Sequence, residues 1–217
     1  MAVRLYLKQL ELGPLQHFVY LIGSLETREC AVVDPGWDVK KILGTAAQDE
    51  MKITKVLVTH THFDHINGVE EIVKATDAEV FVHKKEISQL PVSAGSVKEV
   101  EGGHEIPFGP VTLSLLHTPG HTPGSVCFRV ADKLVAGDTL FIGGCGRCDL
   151  PGGDPELMYK SLSRLKMLDE QLQLYPGHNY APEPISSLEK EKTYNPFLCA
   201  PDLEAFLRLT GGVRRGG

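Results

Sequence analysis

Apolar and polar positions along the chain follow two periods, one typical of strands and the other typical of helices. Residues 3–8 alternate between apolar and polar types, which predicts a strand with one buried face. Residues 38–48 have helical spacing of apolar side chains, with Asp38 as the expected N-cap. Residues 53–58 predict a strand buried on both faces. Two further strands are expected at 18–22 and 30–33.

The rest of the chain repeats this alternation of strands and helices. We expect helices at 66–75, 84–90, 155–168 and 185–192, and strands at 78–82, 111–116, 126–130, 133–136 and 172–175. Two successive β-rich stretches, each ending in helices, predict an α/β fold in which two mixed sheets pack face to face with helices outside, a four-layer αββα sandwich. We place a single domain at residues 1–210, followed by a short, loose basic tail at 211–217.

Composition and charge narrow the range of functions. The chain has 217 residues and a formal net charge of -6, which argues against a surface built to bind nucleic acid. No apolar run reaches the roughly 18 residues that a membrane-spanning helix requires. Its five cysteines are an odd number without the dense spacing of a disulfide-rich secreted module. We therefore expect a cytoplasmic protein with a small-molecule partner, and a homodimer is an open alternative to a monomer.

The residue types that carry chemistry are concentrated in one short segment, 59–65, directly after the apolar run at 53–58. Three histidines and a carboxylate lie there, at His60, His62, Asp64 and His65. Imidazole nitrogens and carboxylate oxygens are ligands that zinc and iron prefer. The simpler interpretation is a polar loop whose histidines bond one another and the backbone. Four such side chains within six positions favour a metal site.

Three later turns carry further ligand-type residues. His121, Asp138 and His178 each lie in a glycine-bearing turn just after a predicted strand. Ligands bind at the carboxyl ends of strands in open α/β sheets, so these turns are expected to converge with segment 59–65 at one edge.

With these motifs in order, the chain resembles the metallo-β-lactamase superfamily. Residues 118–125 and the glycine-rich segment 137–147 resemble most closely its glyoxalase II (hydroxyacylglutathione hydrolase) and persulfide dioxygenase branch. The resemblance implies that His60, His62 and His121 hold one metal ion and that Asp64, His65 and His178 hold another. It also implies that Asp138 bridges the two ions. Asp64 and Asp138 would thus be catalytic as well as metal-binding.

Such a site can support two reactions. Two divalent ions, zinc first and iron or manganese as alternatives, would generate a metal-bound hydroxide that cleaves a glutathione-type thioester. One Fe(II) with open positions would instead oxidise glutathione persulfide to sulfite. A non-catalytic binding protein on the same fold is a third hypothesis, which the complete ligand set disfavours.

Residues around these motifs have less specific signals. Arg147 either binds a substrate carboxylate or pairs with Asp149. His117 is expected to border the metal loop, where it packs against or orients a ligand. A position at the edge of the cleft is the less favoured interpretation of His17, and we expect His83 and His104 on the surface. Cys145 and Cys148 have the spacing of a redox pair, but buried or loop thiols are the simpler interpretation.

Overall fold

The computed structural model describes residues 4–91 and 97–211, and its strands form two six-stranded sheets. The first sheet contains, in spatial order, β1 (Leu5–Leu12), β2 (His17–Ser24), β3 (Glu29–Val33), β4 (Lys52–Leu57), β5 (Glu79–His83) and β6 (Val97–Val100). Strands β1 to β3 are antiparallel, whereas β3 to β6 run parallel. The connecting helices are α1 (Val39–Gln48), α2 (Phe63–Ile66) and α3 (Val69–Thr76), and a 3₁₀ turn lies at Ile87–Gln89.

The second sheet is built from the later part of the chain. Its strands are β7 (Glu105–Phe108), β8 (Val111–His117), β9 (Val126–Val130), β10 (Lys133–Gly137), and two more that follow a small hairpin. The hairpin is β11 (Leu140–Phe141) with β12 (Gly144–Cys145), and the last two strands are β13 (Gln173–Pro176) and β14 (Ser186–Ser187). The spatial order is β14-β13-β10-β9-β8-β7, with β10 and β13 parallel. The helices of this half are α4 (Pro155–Lys166), α5 (Leu188–Tyr194) and α6 (Leu203–Leu209).

Three apolar clusters show how these elements are layered. One cluster joins the facing surfaces of the two sheets, for example Tyr20 and Leu57 with Leu113 and Phe128. The second packs α1 and α3 against the outer face of the first sheet, and the third packs α4 and α6 against the outer face of the second. The four-layer αββα sandwich predicted from the sequence is confirmed.

Several predicted elements are confirmed in detail, beginning with α1. The Asp38 side chain accepts a hydrogen bond from the Lys41 amide at 3.2 Å, which is the expected N-cap. The predicted helix at 66–75 begins later than expected, because α2 ends at Ile66 and α3 begins at Val69, with Gly68 between them. A Cβ atom at Gly68 would lie 2.4 Å from the Pro35 carbonyl oxygen, so the chain can pass this point only with glycine.

Three expectations need correction or fall outside the structure. Strand β4 is not buried throughout, because Thr54 and Lys55 are half-exposed and the Lys55 ammonium lies 4.4 Å from the centroid of the Phe108 ring. The helix expected at 84–90 is only the 3₁₀ turn. Residues 212–217, most of the predicted tail, lie outside the described residues. Among the helices that the structure describes, none has the length and apolar character needed to cross a membrane.

Candidate metal centre

The first group of ligand-type nitrogens comes from two loops, one after β4 and one between β8 and β9. His60 Nε2 lies 3.0 Å from His62 Nδ1, and His121 Nε2 lies 2.9 Å from the same His62 atom. Nitrogens bound to one tetrahedral zinc ion at about 2.0–2.1 Å are roughly 3.3 Å apart. The three nitrogens therefore have nearly the spacing that a shared ion requires.

The second group lies beside the first, with His65 and Asp64 on α2 and His178 just after β13. His65 Nε2 is 3.2 Å from His178 Nε2, and Asp64 Oδ2 is 3.4 Å from His178 Nε2. The His65 and His178 side chains are almost completely buried, while that of Asp64 is 17% exposed. These side-chain atoms form a second compact cluster of nitrogen and oxygen atoms that could bind a metal ion.

The carboxylate of Asp138, in the turn after β10, lies between the two groups. Its Oδ2 is 3.5 Å from both His121 Nε2 and His178 Nε2, and its Oδ1 is 3.4 Å from His65 Nε2. Oδ1 is buried and has no hydrogen-bond partner among the described residues. A buried carboxylate oxygen without a donor is costly, so this position requires a cation or a proton.

The outer nitrogens of four histidines are already engaged. His65, His121 and His178 donate from Nδ1 to Asp34 Oδ2 at 2.9 Å, the Arg147 carbonyl at 2.7 Å and the Leu15 carbonyl at 2.9 Å, in that order. His60 Nδ1 lies 3.1 Å from the Thr59 hydroxyl, whose own proton goes to Asp34. In the neutral rings this leaves Nε2 of all four without a proton and facing the centre.

Burial and neighbouring charges shift the pKa values of the histidines in the two groups in different directions. Burial, with the neighbouring His65, lowers the pKa of His60 well below its ordinary value, and burial with His121 likewise lowers the pKa of His62. Burial also acts to lower the pKa of His65, but Asp138 and Asp34 outweigh it and raise that pKa well above the ordinary value. Burial acts to raise the pKa of Asp138, but His65 and His178 outweigh it and lower that pKa well below its ordinary value. A bound cation would favour the neutral form of His65 and the charged form of Asp138.

The residues present therefore fit a metal centre. Imidazole nitrogens converge here on a buried carboxylate oxygen that has no hydrogen-bond partner among the described residues, and hydrogen bonds fix the orientation of the rings. Borderline divalent ions prefer a donor set of this kind. All seven sequence-predicted ligands come together in one place: His60, His62, Asp64, His65, His121, Asp138 and His178.

Two close backbone approaches make room for Asp138. A Cβ atom at Gly177 would lie 2.2 Å from Asp138 Oδ1, and one at Gly146 would lie 1.8 Å from the Asp138 carbonyl oxygen. Any larger residue at either position would displace Asp138.

Arg147 and His117, the other predicted site residues, take different positions. The exposed Arg147 guanidinium forms two hydrogen bonds with Asp149, at 3.0 and 2.8 Å, and its backbone carbonyl is what orients His121. His117 borders the His121 loop, where its Nε2–H donates to the Pro123 carbonyl at 3.0 Å. The structure thus shows Arg147 in the alternative pairing considered from the sequence.

Other histidines and the cysteine pair were predicted with mixed success. His83 is not on the surface: it is 2% exposed and stacks on His117 with ring centroids 4.1 Å apart. His104 is exposed, as expected. His17 is completely buried, with its Nε2 3.2 Å from His65 Nδ1. Cys145 and Cys148 are free thiols, and burial raises the pKa of Cys148 to about 12.

Aromatic side chains surround the second group, and they were not predicted from the sequence. Tyr180 is 60% exposed and stacks on His178 with centroids 4.9 Å apart, and Phe141 lies 5.5 Å from Tyr180. Phe63, within the histidine motif, is 70% exposed. The turn after His178 contains Tyr180, but a single aromatic residue in a turn gives no local signal of this stacking.

Most of the chain matches the model of a known protein family. The model of the metallo-β-lactamase superfamily matches residues 12–178, a range that includes all seven candidate ligands. The chain belongs to the metallo-β-lactamase superfamily. Members of this superfamily bind metal ions, and the cluster of histidines and aspartates in this chain could hold a metal ion.

Individual superfamily members are similar over most of the chain. A probable polyketide biosynthesis zinc-dependent hydrolase, PksB of Bacillus subtilis, is 31% identical over 194 residues, 89% of this chain and 86% of that protein. The hydroxyacylglutathione hydrolase of Methylobacillus flagellatus is 38% identical over 184 residues, 83% of this chain and 70% of that enzyme. The crystal structure of ETHE1 from Myxococcus xanthus superposes with a TM-score of 0.87 and 30% identity, covering 97% of this chain and 92% of that one.

Proposed function

We propose that this metallo-β-lactamase superfamily protein is a thioester hydrolase that acts on a glutathione-type thioester with two divalent metal ions, zinc first. The observation that carries the proposal is the placement of Asp138 between two compact groups of ligands, with a buried oxygen that has no hydrogen-bond partner in the described part of the chain. One ion would be held by His60, His62 and His121, and the other by Asp64, His65 and His178, with Asp138 shared between them.

Similarity to hydroxyacylglutathione hydrolases supports the thioester as substrate, since 83% of this chain aligns with one of them at 38% identity. The chain spans 70% of that enzyme's length.

The metal ions and the protein side chains would have different roles in the reaction. Bound divalent ions would supply Lewis acidity toward the substrate carbonyl and a water that ionises near neutral pH. Asp64 and Asp138 orient that water through their carboxylate oxygens, and Asp64 is the more accessible of the two. Because a thiolate is a good leaving group, the reaction needs no strong protein acid.

The persulfide dioxygenase reaction is the second candidate. It is favoured by the similarity of this chain to ETHE1 of Myxococcus xanthus, a persulfide dioxygenase, over 97% of the chain. One Fe(II) with open coordination positions would then suffice. Both candidates take a small sulfur-linked substrate, and neither requires a nucleic acid or a membrane.

Metal analysis of protein purified without added metal distinguishes the candidates. We expect about two equivalents of zinc, iron or manganese and hydrolysis of S-lactoylglutathione, followed as loss of thioester absorbance. One iron per chain with oxygen consumption on glutathione persulfide would favour the second candidate instead. Metal-free, inactive protein would contradict both.

Asp138→Ala tests the centre under either reaction. Because the change removes a ligand shared by both metal models, we expect loss of turnover and of bound metal, measured together by steady-state kinetics and elemental analysis. Arg147→Ala is the comparison variant, since its guanidinium already pairs with Asp149. If Arg147 binds a remote carboxylate, its loss raises KM more than it lowers kcat. An active Asp138→Ala enzyme would exclude the proposed centre.

A further inference from the structure

Glu86 is a buried carboxylate outside the ligand set, and it lies between the two loops that carry the first group of ligands. It follows β5, is 1% exposed, and its amide donates to the His83 carbonyl at 2.8 Å. Among the ion pairs of the described residues, none includes Glu86, so its carboxylate is satisfied by dipoles alone.

Those dipoles belong to two different loops. Glu86 Oε2 accepts from the amide of Thr61 at 3.2 Å and from the Thr61 hydroxyl, while Oε1 accepts from the amide of Gly124 at 2.7 Å. A Cβ atom at Gly124 would lie 2.5 Å from Glu86 Cγ, so glycine is what allows this approach. One carboxylate thereby links the loop after β4 to the loop between β8 and β9.

The positions of Thr61 and Gly124 relative to the ligands give this link its meaning. Thr61 lies between His60 and His62, and Gly124 follows His121 by three residues. The loops are also joined at their base, where the Val126 amide donates to the Thr59 carbonyl at 2.9 Å. Glu86 adds the link at the level of the ligands, where His62 Nδ1 and His121 Nε2 are 2.9 Å apart.

We propose that Glu86 is a positioning residue: its carboxylate fixes the Thr61 and Gly124 loops so that His60, His62 and His121 meet at one metal ion. This rests on the proposed metal centre but not on the proposed substrate. Asp34 has the matching task on the other side, since its carboxylate accepts from Thr59 and from His65. Groups that orient metal ligands typically contribute about 10–100-fold to metal affinity.

Glu86→Gln is the direct test, because glutamine has nearly the same shape as glutamate. Its side-chain NH₂ group is a donor, and it would face the N–H and O–H donors that now bind the carboxylate. Apo-protein is titrated with Co²⁺ in competition with a chromophoric chelator, and unfolding of the apo-protein is followed in parallel. We expect the Kd of one equivalent to rise about tenfold or more, with a Kd within about threefold of wild type for any second equivalent. In Asp34→Asn both equivalents are expected to weaken, because Asp34 accepts from His65 and, through Thr59, also supports His60.

Two further variants keep the test decisive. Thr61→Val removes one of the three donors without touching a ligand, so it should weaken the same equivalent and give less than additive loss when combined with Glu86→Gln. Glu191→Gln is the matched control, since Glu191 is also buried and accepts from three donors, but on Gly143, Ser186 and Asn195. It is expected to lower stability and to leave Co²⁺ affinity unchanged.

The outcomes separate cleanly. Wild-type Co²⁺ affinity in both Glu86→Gln and Thr61→Val would overturn the proposal, as would an equal loss of affinity in Glu191→Gln. If Glu86→Gln fails to fold, Thr61→Val alone decides. A wild-type protein that binds Co²⁺ as expected but cleaves no thioester would refute the proposed function and leave the role of Glu86 intact.

Discussion

At the scale of single residues, Asp34 shows how one side chain sets the orientation of two ligands. It lies in the turn after β3 with a φ of 48°, a backbone conformation that residues other than glycine rarely adopt. Its Oδ1 accepts from the Thr59 amide at 2.7 Å, and its Oδ2 accepts from the Thr59 hydroxyl and from His65. Thr59 in turn contacts His60, so both metal groups depend on this turn.

Gly177→Ala tests how little space surrounds Asp138. The added methyl group would lie 2.2 Å from Asp138 Oδ1, so the carboxylate must move. Misplacing a reacting group by about 1 Å can cost about 100-fold in rate. We expect a fall of that order in kcat and a lower metal content in purified protein. Full activity with full metal content would show that the turn after β13 can shift to accommodate the methyl group without moving Asp138.

The ligands could be found from the sequence, whereas Glu86, which links the loops that carry them, could not. His60, His62, Asp64 and His65 lie within six positions, and their density is itself a signal. Glu86 has no such neighbours along the chain. Its partners, Thr61 and Gly124, are 25 and 38 residues away, so only the folded structure reveals the contact.

At the scale of secondary structure elements, Gly44 in α1 provides a contrast to Gly177. It lies in the helix interior, and a Cβ atom there would meet nothing within 4 Å. Alanine favours a helix interior over glycine by about 1 kcal/mol. Gly44→Ala should therefore raise Tm by about 2–4 °C in thermal unfolding and leave activity unchanged. A lower Tm would indicate that this glycine has a packing role in α1.

Elements with strong periodicity were predicted well because their burial is regular. The helical spacing at 38–48 and its Asp38 cap match α1, and the Asp154 side chain caps α4 in the same way. The prediction of a helix at 84–90 was wrong because the chain there turns inward to bury Glu86. This tertiary contact overrides the local helical spacing. Strand β14 is only two residues long and has no periodicity to detect.

At the scale of the whole molecule, each half of the chain supplies part of the centre. The segment after β4 contributes four ligands from the first sheet, and the turns after β8, β10 and β13 contribute three from the second. The isolated bridge between His17 and His178 also joins the two halves beside the site. An ion bound here would cross-link the two sheets at one edge.

Removal of metal should therefore lower the stability of the whole domain. An ion present at 100 times its Kd stabilises the folded state by about 2.7 kcal/mol. For a domain of this size, that corresponds to roughly 5–10 °C in Tm. We expect a shift of this order on treatment with a chelator, reversed by added zinc, in differential scanning fluorimetry. Identical melting curves with and without chelator would contradict a structural contribution from the ion.

The engaged outer nitrogens of His60, His65, His121 and His178 also have a kinetic consequence. Because hydrogen bonds fix these rings through their far side, no ring has to rotate when an ion arrives. Metal uptake should then be a simple bimolecular step, with an observed rate that rises in proportion to ion concentration and shows no plateau set by rearrangement of the protein.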